Sequence, residues 1–482
     1  HFEPIMEQAL GRVPALQTAG VKMLTNGSES FTPDGNFILG EAPELKSFYV
    51  RAGFNAYGIA AGGGAGMALA EWVANAGPPY DLWAVDIRRF GRPHFDTDWV
   101  RARTYKAYGK HYTMAWPAEE HDSGCPCRKS PLYERLKADG AVFGEKLGWE
   151  RPNLYADPDA AEQQRDIYTF ERPNWHAAVG REHRAAREAA VLFDQTSLGK
   201  FVLKGPDAEA ALNWIAANDM SNPVGSLVYT QMLNDQGGIE CDLTCVRMAE
   251  NEYYSVTGTG FVTHDFAHIS KNIPAGMNAQ LVDVTSAYAV LSLFGPNARP
   301  ILQAITSDDI SNDVLPFGAS KTIDIAGCPV SALRVSYVGE LGWELHLPTE
   351  YPVAVYDAID HAGAIHGLCN AGYRAIETLR LEKEFRAWSA DIGPDHTSFE
   401  AGLGFAVKLD TNLAFKGRDA LMAQASDGVK KRMTIFTTAP DVILLGRETI
   451  YRNGVRVGGL VRPGLAIPSA NRLAWALCAA IR

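Results

Sequence analysis

The sequence predicts an α+β fold in which helices alternate irregularly with strands of antiparallel sheets. Apolar residues at helical spacing indicate helices at residues 181–191, 207–217 and 351–366. Short runs of β-branched and aromatic residues indicate strands at residues 200–203, 253–257, 287–293 and 330–337. A mixture of this kind is typical of antiparallel sheets with helices packed on one face, arranged around a central hole.

The composition excludes several classes of protein. A chain of 482 residues with 46% hydrophobic residues predicts about three domains with well-filled cores. A formal charge of -11 without a Lys/Arg block argues against nucleic acid and membrane partners, since both require a basic surface. Seven scattered cysteines do not form a disulfide framework, and no stretch of 18 apolar residues occurs. We therefore predict a cytoplasmic location, or the mitochondrial matrix in a eukaryote.

The first 85 residues begin with a helical pattern at 5–16 and continue with two short strand-like runs within 37–50. A strand at 48–52, a glycine-rich stretch at 53–66 and a helix from Met67 follow. The N-terminus of a helix approached by small residues is able to face an electron-rich ligand, because its free N–H groups carry positive charge. The alternative is that the glycines serve close packing.

The sequence of residues 86–129 predicts a small connecting domain. Its aromatic and basic side chains suggest a nucleic-acid surface, but neighbouring acidic residues cancel that charge, and a packed linker is the better interpretation. The acidic residues are Asp96, Asp98, Glu119, Glu120 and Asp122. Cys125 and Cys127 form the only close cysteine pair, and without a second pair at zinc spacing we predict no metal site.

The most informative segment is 236–244, Gln-Gly-Gly-Ile-Glu-Cys-Asp-Leu-Thr, which delivers the carboxylate of Asp242 from a glycine turn into a strand. An unpartnered carboxylate buried in a sheet costs several kcal/mol and has a raised pKa, so it normally meets a donor or a cationic ligand. The alternative is an acid at a strand edge that faces water.

Further segments give this carboxylate a context. They are Ser-Tyr-Val-Gly-Glu-Leu-Gly-Trp-Glu-Leu-His at 336–346, Asn-Ala-Gly-Tyr-Arg-Ala-Ile-Glu-Thr-Leu-Arg-Leu-Glu-Lys at 370–383, and matching blocks at 130–136, 148–152, 193–201 and 400–409. In this order the blocks resemble the glycine-cleavage T-protein family over roughly 300 residues. The resemblance implies a T-protein-like folate-binding domain, with tetrahydrofolate held in the central hole.

The resemblance also implies roles for individual residues. Asp242 matches the catalytic aspartate, and Glu344 matches the carboxylate that binds the donor edge of the pterin. The remaining matches to folate-contacting positions are Tyr229, Thr257, Thr259, Tyr337 and Arg374. Core tyrosines and a helix-surface ion pair between Arg374 and Glu377 are the alternatives for these positions. Five histidines lack a nucleophile–base pattern and are interpreted as structural: His264, His268, His361, His366 and His396.

The N-terminal part resembles the dimethylglycine and sarcosine dehydrogenase family, in which a flavin-dependent amine dehydrogenase is fused to a T-protein-like domain. The blocks that carry this resemblance lie at 29–44, 53–59, 62–64 and 86–90. It implies that Asn55, Gly58 and Ile59 contact FAD. No Gly-x-Gly-x-x-Gly occurs, so we predict that the flavin site is incomplete and that the first segment is the C-terminal remnant of an FAD-dependent amine oxidoreductase domain.

The predicted domains are therefore the flavin-domain remnant at 1–85, the connector at 86–129, the T-protein-like folate-binding domain at 130–430 and a C-terminal β-barrel domain at 431–482. The sequence after residue 460 departs from the family pattern, which predicts that this barrel is incomplete. Exposed strand edges and an apolar tail would then lower stability or promote association.

These resemblances imply part of an FAD- and tetrahydrofolate-dependent N-demethylating dehydrogenase, in which this chain passes an oxidised methyl carbon to tetrahydrofolate. Its partners would be a small methylamine substrate and a flavin-binding segment or an electron acceptor. Two alternatives stay open: a non-catalytic folate-binding fragment, and a folate-dependent demethylase for another methyl donor, since fold alone does not fix the substrate.

Overall fold

The computed structural model describes residues 2–25, 27–438, 442–463 and 474–481. The first part of the chain forms a small hairpin and three helices. These elements are α1 (Glu3–Arg12), β1 (Ile38–Glu41), β2 (Tyr49–Ala52), α2 (Gly58–Asn75) and α3 (Thr97–Gly109).

Helix α2 packs on β1 through Leu39, Ala65 and Ala68, which are all buried. Gly40 permits a close approach, because a Cβ at this position would lie 2.7 Å from the ring of Trp72 on α2. The expectation that the glycines precede a helix starting near residue 67 is wrong, since α2 begins at Gly58. The glycines inside the helix leave space for Arg51, whose Nη2 donates to the carbonyl of Gly62 at 2.8 Å.

The central part of the chain contains most of the strands. Its helices are α4 (Tyr133–Ala138), α5 (His176–Glu188), α6 (Ala208–Ile215), α7 (Val262–Asn272), α8 (Ala298–Ala304), α9 (Pro352–Gly363), α10 (Tyr373–Glu382) and α11 (Arg418–Asp427). Its strands are β3 (Ala141–Lys146), β4 (Trp149–Tyr155), β5 (Ala190–Asp194), β6 (Gly199–Lys204), β7 (Leu227–Leu233), β8 (Ile239–Ala249), β9 (Glu252–Thr257), β10 (Gln280–Asp283), β11 (Tyr288–Phe294), β12 (Ser320–Ile325), β13 (Cys328–Leu333), β14 (Gly342–Pro348) and β15 (Leu368–Asn370).

Two large sheets organise this region. One has the strand order β10-β6-β9-β8-β7 and the other β12-β13-β14-β11-β5-β15. Every pairing in the first sheet is antiparallel, and in the second only the pairing of β15 with β5 is parallel, as far as the described residues extend. The predicted α+β class is therefore confirmed.

Separate apolar clusters fill the space between helices and sheets. The largest lies between the second sheet and helices α8 and α9, where Trp343, Leu291 and Ile359 are fully buried. Another lies between the first sheet and helices α6 and α7. A third joins the two sheets, because Tyr254 and Val256 of β9 pack with Leu333 of β13. The strands that carry the candidate site are therefore fixed by cores on both sides.

Some boundaries differ from the sequence prediction. The helix expected at 181–191 begins at His176 and ends at Glu188, because the following residues enter the sheet as β5. The strand expected at 330–337 ends at Leu333. Tyr337 therefore lies in a bend after β13 and not on a strand.

The C-terminal part forms a sheet of order β16-β20-β19 and a hairpin of β17 and β18. These strands are β16 (Arg432–Thr438), β17 (Thr449–Arg452), β18 (Val455–Gly459), β19 (Arg462–Pro463) and β20 (Ala474–Ile481). The part of the predicted incomplete barrel at residues 464–473 lies outside the described residues. Within the part of the chain that the structure describes, no helix has the length and apolar character needed to cross a bilayer.

Candidate functional site

The hairpin of β7 and β8 positions Asp242. Its turn needs glycine, since a Cβ at Gly238 would lie 2.1 Å from the carbonyl oxygen of Pro394. The Asn234 side chain closes the turn by accepting from the Gly238 N–H at 2.8 Å. With this turn fixed, the antiparallel register sets Asp242 directly opposite Gln231.

The carboxylate of Asp242 is partly buried and held by neutral donors. Gln231 Nε2 donates to Asp242 Oδ1 at 3.1 Å, and the hydroxyl of Tyr229 also hydrogen-bonds the carboxylate. Burial raises the pKa of Asp242 to about 6, against the opposing effect of these two hydrogen bonds. The group is thus largely ionised at neutral pH but poised to exchange a proton close to it.

Two tyrosines predicted to contact folate lie near enough to this carboxylate for its charge to affect their pKa values. Burial raises the pKa of both Tyr229 and Tyr337, and the charge of Asp242 adds to the shift at each. Tyr229 stacks on Phe405 with 6.2 Å between ring centroids. The Tyr337 hydroxyl donates to the carbonyl of Arg386 at 2.7 Å, and its ring stacks on Phe385. Asp242 and Tyr229 therefore form one hydrogen-bonded group, and Tyr337 lies near enough for the charge of Asp242 to act on it.

Glu344 lies on β14, a central strand of the second sheet, opposite Ser292 on β11. Its side chain is 12% exposed, and Oε2 lies 3.4 Å from His346 Nε2. The other ring nitrogen of His346 lies 2.9 Å from the hydroxyl of Tyr254. Burial lowers the pKa of His346, so the neutral imidazole accepts from Tyr254 at Nδ1 and donates to Glu344 at Nε2.

The hydroxyls of Thr257 and Thr259 are both used within the protein. Thr257 Oγ1 donates to Asp265 Oδ2 at 2.5 Å, and Thr259 Oγ1 lies 2.8 Å from Ser197 Oγ. Both residues are almost completely buried. The structure therefore does not bring their hydroxyls into the group around Asp242.

Arg374 is engaged in a contact that the sequence did not indicate. Its guanidinium forms an ion pair with Asp166 and lies over the ring of Trp175 at 4.6 Å. Glu377, the partner considered from the sequence, forms an ion pair with Arg380 instead. The contact with Asp166 uses one nitrogen of the guanidinium, Nη2.

The residues predicted to contact FAD lie at the start of α2. The Asn55 side chain is buried and occupied locally, because it accepts from the Thr32 N–H at 2.8 Å and donates to the Gly53 carbonyl at 2.7 Å. Gly58 is the first residue of α2, and Ile59 is fully exposed. The first N–H groups of a helix have no partner within the helix, and the Asn55 amide shapes the turn that precedes them.

Sequence reasoning missed two residues of the site and a buried ionic cluster. Gln231 and His346 each lie two positions after a predicted residue, Tyr229 and Glu344, and so on the same face of a strand. That spacing is the signal that identifies them. Both side chains are almost completely buried.

The ionic cluster lies beside Asp242 and joins Glu240 and Cys241 of β8 to residues of α7. His264 Nδ1 lies 2.9 Å from Asp265 Oδ1, and His264 Nε2 lies 3.5 Å from Glu240 Oε2. Cys241, His264 and Asp265 are near enough to share an ion, within the residues that the structure describes. Their polar atoms already bond one another, and the positive charge of Arg88 acts on Glu240, Cys241 and His264. We therefore interpret the cluster as an internal network of charged groups and not as a metal site.

Comparison with known proteins identifies the family of the chain. The family model of the GCVT N-terminal domain matches residues 132–411, and that of the FAD dependent oxidoreductase central domain matches residues 77–130. Human mitochondrial sarcosine dehydrogenase is 40% identical over 513 residues, covering 98% of this chain and 56% of the relative. Human mitochondrial dimethylglycine dehydrogenase is 34% identical over 481 residues, covering 98% and 55%.

The chain belongs to the dimethylglycine and sarcosine dehydrogenase family. It spans about half the length of the curated relatives it matches. The fold of the family's T-protein-like part is seen in glycine cleavage system aminomethyltransferase T from Bartonella henselae, which superposes with a TM-score of 0.59 at 24% identity. That superposition covers 73% of this chain and 90% of the other.

Proposed function

We propose that this member of the dimethylglycine and sarcosine dehydrogenase family transfers an oxidised methyl carbon from an N-methylated amine to tetrahydrofolate, giving methylenetetrahydrofolate. The observation that carries the proposal is the partly buried carboxylate of Asp242, held by Gln231 and Tyr229 on one face of β7 and β8. The whole enzyme would be an FAD- and tetrahydrofolate-dependent N-demethylating dehydrogenase of the dimethylglycine or sarcosine type.

The chemistry requires a fixed negative charge. One folate nitrogen attacks the methylene carbon of an iminium ion and forms a C–N bond, while the C=N π electrons move to the amine nitrogen. The demethylated amine takes up a proton and leaves as its own bond to the carbon breaks, with positive charge spread over carbon and nitrogen. The second folate nitrogen then bonds the carbon and releases its proton, which gives methylenetetrahydrofolate. An ionised carboxylate stabilises this charge and accepts the proton, directly or through a water molecule. A pKa of about 6 leaves Asp242 ionised at neutral pH and basic enough for this exchange.

Glu344 is proposed to bind the pterin. A carboxylate accepts two parallel N–H donors from the amidine-like edge of such a ring. Its hydrogen bond to His346 uses one oxygen and leaves acceptor capacity on both. Tyr229 and Tyr337 provide aromatic surface near Asp242, and Arg374 is proposed to meet the glutamate tail.

FAD would supply the oxidation that generates the iminium ion. In this chain, the backbone N–H groups at Gly58 and Ile59 are proposed to approach the flavin, while Asn55 keeps the preceding turn in place. The proposed partners are a small methylamine substrate and a flavin-binding segment or an electron acceptor. In a eukaryotic cell, the mitochondrial matrix is the proposed location.

Calorimetric titration with tetrahydrofolate tests the proposal. We expect about micromolar affinity for the unaltered chain and at least tenfold weaker binding for Glu344→Ala, because a hydrogen-bonded pair involving a charged group contributes about 1.5–3 kcal/mol. Glu350→Ala is the matched control, since Glu350 is exposed just after the same strand. A folded chain that gives no binding heat, or equal binding by Glu344→Ala, contradicts the proposal.

A further inference from the structure

We propose that Gln231 is a positioning residue that fixes the orientation of the Asp242 carboxylate. The inference deepens the proposed function and rests on it for its catalytic meaning. Gln231 does not need to touch a ligand, because it acts through Asp242.

The geometry fixes the Gln231 amide on both sides. Its side chain is fully buried, and its Nε2 donates to Asp242 Oδ1 at 3.1 Å. Its Oε1 accepts from the hydroxyl of Ser398, which is also fully buried, at 3.4 Å. Because the amide oxygen is taken by Ser398, the amide nitrogen is the end that faces the carboxylate.

A neutral amide suits this position better than a cation. A lysine or arginine here would cancel the negative charge of Asp242. An amide N–H favours the ionised carboxylate and leaves the negative charge of Asp242 available to the reacting centre. The backbone pairing of Gln231 with Asp242 in the β7–β8 ladder adds rigidity to this contact. The carboxylate can thus direct its second oxygen toward a bound folate nitrogen.

The titratable groups around Asp242 come from β7, from α7 and from the bend after β13. Tyr229 on β7 donates to the carboxylate, Asp265 on α7 repels it, and Tyr337 lies within its electrostatic range. Of these groups and the Gln231 amide, only Tyr229 and Gln231 favour ionisation through hydrogen bonds. Loss of the Gln231 donor should therefore raise the pKa of Asp242.

The test is the pH dependence of tetrahydrofolate affinity in the full chain. Ionised Asp242 accepts a hydrogen bond from the ligand, so affinity should fall as the pH drops through its pKa. We expect Gln231→Leu and Gln231→Glu to move the midpoint of this fall upward by about one pH unit, a tenfold change in proton affinity. Gln236→Leu, an exposed residue of the same hairpin, should leave the midpoint unchanged.

A second measurement separates this inference from the function. Melting temperatures of the unaltered chain, Gln231→Leu, Asp242→Asn and the double variant form a thermodynamic cycle at pH 7.5 and at pH 4.5. We expect non-additive effects at the higher pH that shrink at the lower one. Additive effects at both values, or an unshifted midpoint in a chain that binds folate, overturn the inference. Non-additive effects of the Gln231 and Asp242 substitutions in a chain that does not bind folate would support the inference. Such a result would contradict only the proposed function.

Discussion

Each of the two carboxylates at the centre of the proposed site is supported by a neutral side chain. Gln231 donates to Asp242, and neutral His346 donates to Glu344. A neutral donor fixes the direction of a carboxylate without cancelling its charge, so the charge remains available for a cationic transition state or a pterin edge.

Asp242→Asn is expected to stabilise the protein at neutral pH. The pKa of Asp242 is about 6 in the folded protein and about 3.9 in the unfolded chain. The folded protein is therefore more stable at low pH, where Asp242 is protonated, and loses that stability as the pH rises from about 4 through about 6. The variant should gain about 1–3 kcal/mol in the free energy of unfolding at pH 7.5 and little at pH 4. Urea unfolding at both values measures the gain.

Asp410→Asn is the control for that measurement, because Asp410 is exposed. Its free energy of unfolding should match the unaltered chain within about 0.5 kcal/mol at both pH values. Equal behaviour of Asp242→Asn and Asp410→Asn would show that Asp242 is not strained by burial.

His346→Gln is expected to weaken tetrahydrofolate binding several-fold without abolishing it. The variant retains an N–H donor but loses the exact alignment with both Tyr254 and Glu344, whose contacts span 2.9 Å and 3.4 Å. Titration calorimetry measures the change. His361→Gln, an exposed histidine on α9, is the control, and an unchanged affinity of His346→Gln would remove His346 from the site.

At the scale of elements, the β7–β8 hairpin determines where Asp242 lies. Its register depends on a turn in which Gly238 packs directly against the backbone of Pro394. The contact joins the hairpin to the segment that carries Ser398. One turn therefore fixes both Asp242 and Ser398, whose hydroxyl donates to Gln231 Oε1.

Gly238→Ala should cost more than about 2 kcal/mol, because its Cβ would lie 2.1 Å from a backbone oxygen that has little freedom to move. Gly63→Ala is the matched change, since nothing lies within 4 Å of a Cβ at that helical position. It should be neutral or stabilise α2 by up to about 1 kcal/mol. Chemical unfolding compares the two, and equal effects would refute the assigned role of the turn.

Several elements could be predicted from the sequence because local pattern and burial agree. Strand β9 was expected at 253–257 and runs from Glu252 to Thr257, and the glycine turn before Asp242 was identified from its residues. The start of α2 could not be predicted, because five glycines in one helix contradict intrinsic propensity and are accommodated by the packing of Arg51.

Contacts between distant segments account for most of what the sequence did not reveal. Arg374 pairs with Asp166, which is 208 positions away, although Glu377 is its near neighbour on the helix. Gln231 and His346 were recognisable in principle from their spacing of two residues, but only the fold shows what their side chains meet. Roles assigned from the family resemblance remain predictions until ligand binding is measured.

At the scale of the whole molecule, the segment before residue 130 is packed against the T-protein-like part. Trp83 contacts the rings of Phe261, His264 and Trp388 at 5.4, 5.4 and 5.2 Å between centroids. Lys271 on α7 donates to Glu41 on β1 at 2.5 Å. These contacts predict that the two parts unfold together and that damage to one weakens the other.

Trp83→Ala should therefore lower the stability of both parts by about 3–5 kcal/mol in a single transition, since a large ring is removed from a packed cluster. Tyr105→Ala is the control, because Tyr105 is 71% exposed. Hydrogen exchange at α2 and at β8 provides separate probes of the two parts. Increased exchange at α2 alone would contradict the expected coupling.

The most direct measurement of the central claim is a crystal structure of this chain with a bound tetrahydrofolate analogue. We expect the pterin edge on Glu344 and the reactive nitrogen within hydrogen-bonding reach of Asp242, directly or through one water molecule. An analogue bound away from both carboxylates, in a crystal where their surroundings are ordered, would contradict the account.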